Sequence, residues 1–154
     1  MSSRVRGGGW FLAATIVLLL FGSVHVLAIY DSLYGKSEPG TPKARVDEAL
    51  RAFKLDLGPF HATGFGTVMI LNSSYSVLLL YVAILNLATW RCAAAAGRLR
   101  RLTVINMLFV ALLGGICLAF QFPPPLLFAA LALLLFIVSY VRQSAGSGDA
   151  AFAS

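Results

Sequence analysis

Four long apolar runs, separated by polar segments, most constrain what this chain can fold into. The runs cover approximately residues 10–29, 63–90, 102–120 and 125–141. A helix needs about 20 consecutive apolar residues to cross the hydrocarbon core of a bilayer. Only 12% of the 154 residues are charged, whereas a soluble domain usually has about a quarter. The sequence therefore predicts an all-α fold, a four-transmembrane-helix bundle in which residues 1–142 form a single membrane domain.

The positions of the basic residues predict how this bundle is oriented. Seven of the twelve lie before the first run, between the second and third, or after the fourth: Arg4, Arg6, Arg91, Arg98, Arg100, Arg101 and Arg142. The segment between the first two runs carries the other five, which five acidic residues balance. Cytoplasmic loops are enriched in Lys and Arg, so we expect a multi-pass protein with both termini in the cytoplasm. The predicted partner is then the lipid bilayer. Orientation in the membrane accounts for the net charge of +6, so we expect no binding to nucleic acid.

The two ends of the chain carry separate expectations. The basic start, the first apolar run and the segment Val26-Leu27-Ala28 also fit a cleaved signal peptide. A signal core usually has roughly 7–15 residues, and the first run is longer, which favours an uncleaved helix. At the other end, residues 143–154 are small and polar and predict a disordered tail.

The segment between the first two runs contains a second kind of helix. Thr41-Pro42 is typical of an N-cap followed by a proline in the first turn. An apolar stripe at helical spacing follows, made of Val46, Ala49, Leu50, Phe53 and Leu57. Gly58-Pro59 then favours a helix end, so the pattern predicts an amphipathic helix over about residues 42–57. We expect its central Phe53 to pack on the bundle or the bilayer, and the alternative is docking to a partner.

Several short motifs resemble a group of small uncharacterised bacterial four-span integral membrane proteins. They are a histidine near the end of the first run, Ala52-Phe53-Lys54-Leu55-Asp56-Leu57-Gly58, Tyr75-Ser76-Val77-Leu78-Leu79-Leu80 and Leu85-Asn86-Leu87. The resemblance covers about residues 22–140. It implies the four-span topology and a bacterial inner (plasma) membrane, and it carries no activity with it.

Two histidines are the most informative single residues. His25 lies near the end of the first run and His61 near the start of the second, so antiparallel spans would bring them to one rim. With Asp56 they are the candidates for cofactor binding, because histidine and carboxylate ligate metals and haem iron. The competing interpretation is that His25 is a structural, hydrogen-bonded residue. An isolated histidine pair is a weak signal, so we predict no bound metal and no cofactor.

Polar residues within the apolar runs should face other helices, because exposing them to lipid is costly. Asn72, Tyr75 and Ser76 in the second run are candidates to line a ligand pocket. Asn86 and Asn106 lie about equally far from the Arg91–Arg101 loop, so we expect them at one level, where amides bond across helices.

No catalytic motif is present: the sequence has no glycine-rich phosphate loop and no Gly-x-Ser-x-Gly. We therefore expect no catalytic residues and a non-enzymatic interaction or accessory protein, with a protein partner or homo-oligomer. Two alternatives stay open. One is a binder or carrier of a lipophilic small molecule, and the other is a redox or metal-binding membrane subunit that uses His25 and His61.

Overall fold

Four long helices dominate the computed structural model, which describes residues 7–35, 37–57, 60–119 and 123–151. The elements in chain order are α1 (Gly8–Tyr34), α2 (Pro42–Ala52), β1 (Lys54–Leu57), β2 (Phe60–Thr63), α3 (Gly64–Ala95), α4 (Leu99–Ala119) and α5 (Pro123–Ala151). Helices α1, α3, α4 and α5 are each long and apolar enough to cross a membrane. The predicted all-α class with four spans and an amphipathic loop helix is confirmed.

The spanning helices continue beyond their apolar runs. Helix α1 has 27 residues and α3 has 32, which at about 1.5 Å per residue exceeds the roughly 30 Å thickness of the hydrocarbon core. Helix α5 runs to Ala151, into the predicted disordered tail; residues 152–154 lie outside the described residues. At the start of this tail, the Ser144 hydroxyl donates to the Tyr140 carbonyl, and Gln143 bonds to two hydroxyls.

The predicted boundaries of the loop helix are half right. Thr41 caps α2, its hydroxyl accepting from the Ala44 N–H, and a proline stands in the first turn as expected. However, the helix ends at Ala52, and the prediction that it reaches residue 57 is wrong. Phe53 has extended backbone geometry, and the following residues pair in an antiparallel hairpin with the register Lys54↔Thr63 to Leu57↔Phe60. Cross-strand bonds satisfy the backbone there, which the apolar spacing could not indicate. The predicted terminator Gly58-Pro59 lies outside the described residues.

The chain divides into two compact units, which we call the bundle unit and the loop unit. The bundle unit comprises the described residues of Met1–Phe21 and Leu79–Ser154, and the loop unit is Gly22–Leu78. Helices α1 and α3 each contribute one part to each unit. The predicted single domain over residues 1–142 therefore includes parts of both units.

The bundle unit packs four helical segments around one apolar core. Its buried members come from all four helices: Phe11, Ala14, Leu18, Ala83, Leu99, Val110, Ala129, Ala132 and Phe136. Phe11 and Phe136 meet edge to face, with ring centroids 5.5 Å apart. Alanines among the aromatic rings let the helices approach closely, as is typical of helix packing in membranes.

The outer surface of these helices is as apolar as their core. Leu112 on α4 and Leu127 on α5 are 71% and 72% exposed, and many other large aliphatic residues of the four helices are exposed too. Water-soluble monomers rarely expose continuous apolar surface of this extent. Lipid tails can cover it, and the chain is therefore a multi-pass membrane protein.

Candidate functional site

His25 makes a short polar contact within the loop unit. Its Nδ1 lies 2.7 Å from the Ser76 hydroxyl, which donates to the Asn72 carbonyl at 3.1 Å. Since a serine hydroxyl has a single hydrogen, the imidazole N–H is assigned as the donor to Ser76. The imidazole also meets the edge of the Tyr75 ring, with centroids 5.0 Å apart. Positions 72, 75 and 76 share one face of α3 because they are three and four residues apart.

This cluster brings together the three residues predicted to line a pocket, but as packed neighbours of His25. Ser76 is only 2% exposed, so a bound molecule would have to displace its hydrogen bonds. Asn72 contributes its backbone carbonyl to the contact. The geometry favours the interpretation of His25 as a structural residue, whose hydrogen bond to Ser76 joins α1 to α3.

His61 lies in a different setting from the one predicted. It stands on strand β2, not at the start of a helix, and faces Asp56 across the hairpin. Their side chains are 86% and 82% exposed, with His61 Nδ1 and Asp56 Oδ1 4.0 Å apart. Pairs this exposed contribute little to stability. Among the described residues, no group of three or more His, Cys, Asp or Glu side chains is placed to hold a metal ion, so His25, His61 and Asp56 do not form one.

A groove lies on the surface of α3. It is lined by Met69, Ile70, Ser73, Ser74 and Val77 and has a volume of about 450 Å³. None of the predicted pocket residues lines it. All five lining residues belong to one helix, and the Ser74 hydroxyl is already bonded to the Ile70 carbonyl. The groove is open and mostly apolar, which suits a lipid tail more than an enclosed small molecule.

Asn86 and Asn106 form a reciprocal pair inside the bundle unit, which confirms the predicted contact. The Asn86 Nδ2 donates to Asn106 Oδ1 at 2.7 Å, and the Asn106 Nδ2 donates back to Asn86 Oδ1 at 3.1 Å. Both residues are buried. This pair joins α3 to α4 and accounts for two polar side chains that would otherwise be costly within a span.

Helix α2 docks on the rest of the loop unit by its polar face. The Lys43 Nζ lies 3.2 Å from Asp31 at the end of α1, and Asp47 accepts from the Ser37 hydroxyl at 3.2 Å. The Arg51 guanidinium sits 3.8 Å above the Phe65 ring at the start of α3. These positions are four residues apart and make one helix face. Sequence reasoning missed this arrangement, since amphipathic helices usually dock by their apolar side.

The apolar side of α2 is consequently exposed at Val46, Ala49 and the C-cap residue Phe53, whereas Leu50 is half-buried. We call Val46, Ala49 and Phe53 the α2 stripe. Val46 is 57% and Phe53 is 58% exposed, and α2 has no buried residue. The Phe53 ring passes near Gly64, where an added Cβ would lie 3.1 Å from it, but this covers only one edge. Phe53 is thus largely exposed in the structure, and its packing on the bilayer stays a prediction.

Sequence reasoning also missed a contact between α4 and α5. One Arg100 guanidinium nitrogen donates to the Tyr140 hydroxyl at 2.7 Å, and the guanidinium carbon lies 4.7 Å from the centre of the Tyr140 ring. The two residues are 40 positions apart in the sequence. The available signal was that each lies at the same end of its span, next to the basic segments.

Comparisons with protein-family models, with curated proteins and with solved structures find no match to this chain. Its function must therefore be inferred from its own geometry. The main features of that geometry are the bond of His25 to Ser76, an exposed hairpin and an amphipathic helix with an exposed apolar stripe.

Proposed function

We propose that this chain is a non-enzymatic interaction or accessory protein of a bacterial inner membrane, and that it binds a partner protein through the α2 stripe. The observation that carries the proposal is the exposure of Val46 on α2 and of Phe53 at its C-cap, while the polar face of the helix is already engaged. Apolar anchors at the spacing i, i+3 and i+7 are a recurring mode of recognition, in which a helix lies in a groove of its partner. We expect that groove on another membrane protein.

The composition of α2 favours a protein over the bilayer surface as the occupant. Helices that lie in the membrane interface are usually rich in Lys and Arg on the polar face. Helix α2 has three basic and two acidic residues: Lys43, Arg45, Arg51, Asp47 and Glu48. Two of these, Lys43 and Asp47, are bonded to other residues of the loop unit. The helix therefore has little free positive charge with which to hold itself on anionic lipid.

The alternative functions have weaker support. A redox or metal subunit would need His25 and His61 to share a ligand, whereas His25 bonds to Ser76 and meets the Tyr75 ring, and His61 faces Asp56 on the hairpin. A carrier of lipophilic molecules would need an enclosed cavity, and the groove on α3 is open along one helix. An enzymatic role would need a reachable nucleophile, and the serine nearest an imidazole is buried and bonded.

The proposed orientation places both termini and the Arg91–Arg101 segment in the cytoplasm and the segment between α1 and α3 on the outer side. Its support is the charge distribution, since the loop unit has five basic and five acidic residues whereas the bundle unit carries the net positive charge. The test is labelling of single cysteines in intact cells, after Cys92 and Cys117 are replaced by serine. Exposed Glu38→Cys should react with an impermeant thiol reagent, and exposed Ala96→Cys should react only after lysis. The opposite pattern would refute the orientation.

Site-specific photocrosslinking tests the proposed surface. A photoreactive phenylalanine analogue is placed at Phe53 or Val46 in the full chain in intact cells, with Glu48 as the control on another side of α2. We expect a discrete adduct with one protein from the stripe positions and none from Glu48. The adduct is identified by mass spectrometry, and its formation should fall strongly when the other stripe residue is changed to serine.

Three results would contradict the proposal. Adducts of lipid alone from the stripe positions would identify the bilayer as the occupant. Equal protein adducts from Glu48 and Phe53 would mean that contact at α2 is nonspecific. Stoichiometric recovery of a partner with Val46→Ser/Phe53→Ser would place the interaction elsewhere. Since Phe53 is largely exposed, Phe53→Asp should lower the free energy of unfolding by less than about 1 kcal/mol, so loss of binding would not reflect unfolding.

A further inference from the structure

Positive charge dominates a long stretch of the chain. Between Asp56 and Asp149 the chain has no Asp or Glu, yet this stretch contains Arg91, Arg98, Arg100, Arg101 and Arg142. Arginine is always charged in proteins, so these guanidinium groups attract anions. In a membrane protein the nearest abundant anions are lipid phosphates.

Two of these arginines line a groove between α4 and α5. The groove has a volume of about 460 Å³, and its walls are Arg100, Arg101, Val104, Ile105 and Tyr140. The two arginines stand in the first turn of α4, and Val104 and Ile105 lie one turn further along the same face. The groove therefore passes from cationic to apolar over about 5.4 Å, the rise of one helical turn. A phospholipid changes in a complementary way along its length, from an anionic phosphate to an apolar acyl chain.

Tyr140 holds Arg100 in place at this groove. The tyrosine hydroxyl accepts from one guanidinium nitrogen at 2.7 Å, and the ring lies under the guanidinium carbon at 4.7 Å. A fixed guanidinium loses less conformational entropy when it binds an anion. One acceptor also leaves most of its N–H donors available, and their fork geometry matches two oxygens of a phosphate.

The helix itself adds to the positive potential. The first backbone N–H groups of α4 have no partner within the helix and carry the positive end of its dipole. Arg100 and Arg101 are placed at this end, where cations are unfavourable for the helix unless an anion is bound. Both arginines and Ile105 are exposed, so lipid can reach them.

We propose that the groove at Arg100, Arg101 and Tyr140 is a binding site for one anionic phospholipid, whose phosphate is held by the two guanidinium groups and whose acyl chain lies along Val104 and Ile105. The site is independent of the proposed partner surface, since it belongs to the bundle unit and the α2 stripe belongs to the loop unit.

Native mass spectrometry of the full chain in mild detergent, titrated with phosphatidylglycerol, tests this site. Charge-assisted hydrogen bonds predict that Arg100→Gln weakens the first binding step roughly tenfold or more. Arg142→Gln is the matched control, because it removes the same charge from α5 outside the groove. A diffuse electrostatic effect on membrane affinity is only about fivefold per residue, so Arg142→Gln should weaken binding at most that much. Tyr140→Phe should weaken binding to an intermediate degree.

Arg101→Gln provides a second variant at an exposed position, so the test does not depend on one substitution. The melting temperature of each variant in lipid-free detergent should match that of the unchanged protein. Equal losses for Arg100→Gln and Arg142→Gln would overturn the site in favour of diffuse charge. Equal affinity for zwitterionic phosphatidylcholine would also overturn it, as would displacement of the lipid by millimolar inorganic phosphate, which would indicate a site for the free anion.

Discussion

Replacing one member of the buried amide pair gives the sharpest test of the packing of the bundle unit. In Asn86→Leu, the two bonds of 2.7 and 3.1 Å between the amides are lost. Asn106 keeps its bond to the Leu102 carbonyl, but its own Oδ1 loses its donor. Bonds between membrane helices contribute about 0.6 kcal/mol each, and a buried unpaired carbonyl costs about 1–3 kcal/mol. We therefore expect a loss of about 2–4 kcal/mol in the free energy of unfolding.

The double variant decides whether the unpaired group causes this loss. With leucine at both Asn86 and Asn106, no amide is left unpaired, and leucine keeps the branching of the amide at Cγ. The double variant should therefore be more stable than either single variant. Unfolding by sodium dodecyl sulfate in mixed micelles, followed by tryptophan fluorescence and circular dichroism, measures all four members of the cycle. Losses that simply add in the double variant would refute the reasoning, because they would mean that the two amides act independently.

Two further predictions concern single residues and use the same unfolding assay. His25→Ala should lower the free energy of unfolding by about 1–3 kcal/mol, because it leaves buried Ser76 without its imidazole partner. His61→Ala should have almost no effect on this free energy, because the His61 side chain is 86% exposed. An equal effect of the two variants would argue against a structural role for His25. Gly7→Ala should be destabilising by about 1–3 kcal/mol, since its φ is 87° and an added Cβ would lie 2.6 Å from the Ser139 carbonyl oxygen; Gly9→Ala, where nothing lies within 4 Å, is the control.

The apolar runs were sufficient to predict the fold class and the number of spans. A helix is the structure that lets a continuous apolar segment satisfy its own backbone within lipid, so the prediction required no knowledge of the neighbours. The Asn86–Asn106 contact could also be predicted, because short links force antiparallel neighbours and rise per residue then fixes the level of each amide. The cap at Thr41 followed for a similar reason, since it depends on residues three positions apart.

Contacts between distant residues could not be predicted in this way. Whether residues 54–57 continue α2 or form a strand depends on pairing with Phe60–Thr63, and the apolar spacing fits the helix equally well. The direction in which α2 faces depends on Asp31, Ser37 and Phe65, which engage its polar side.

The polar residues show the same division between sequence and tertiary structure. Sequence alone determined that His25, Ser76, Arg100 and Tyr140 lie in or beside membrane-spanning helices, because span length and charge are local properties. Only the tertiary structure decided that His25 bonds to Ser76 and that Arg100 bonds to Tyr140. Hydrogen bonds depend on distances of about 3 Å and on direction, and these are fixed by how each helix is rotated against its neighbour.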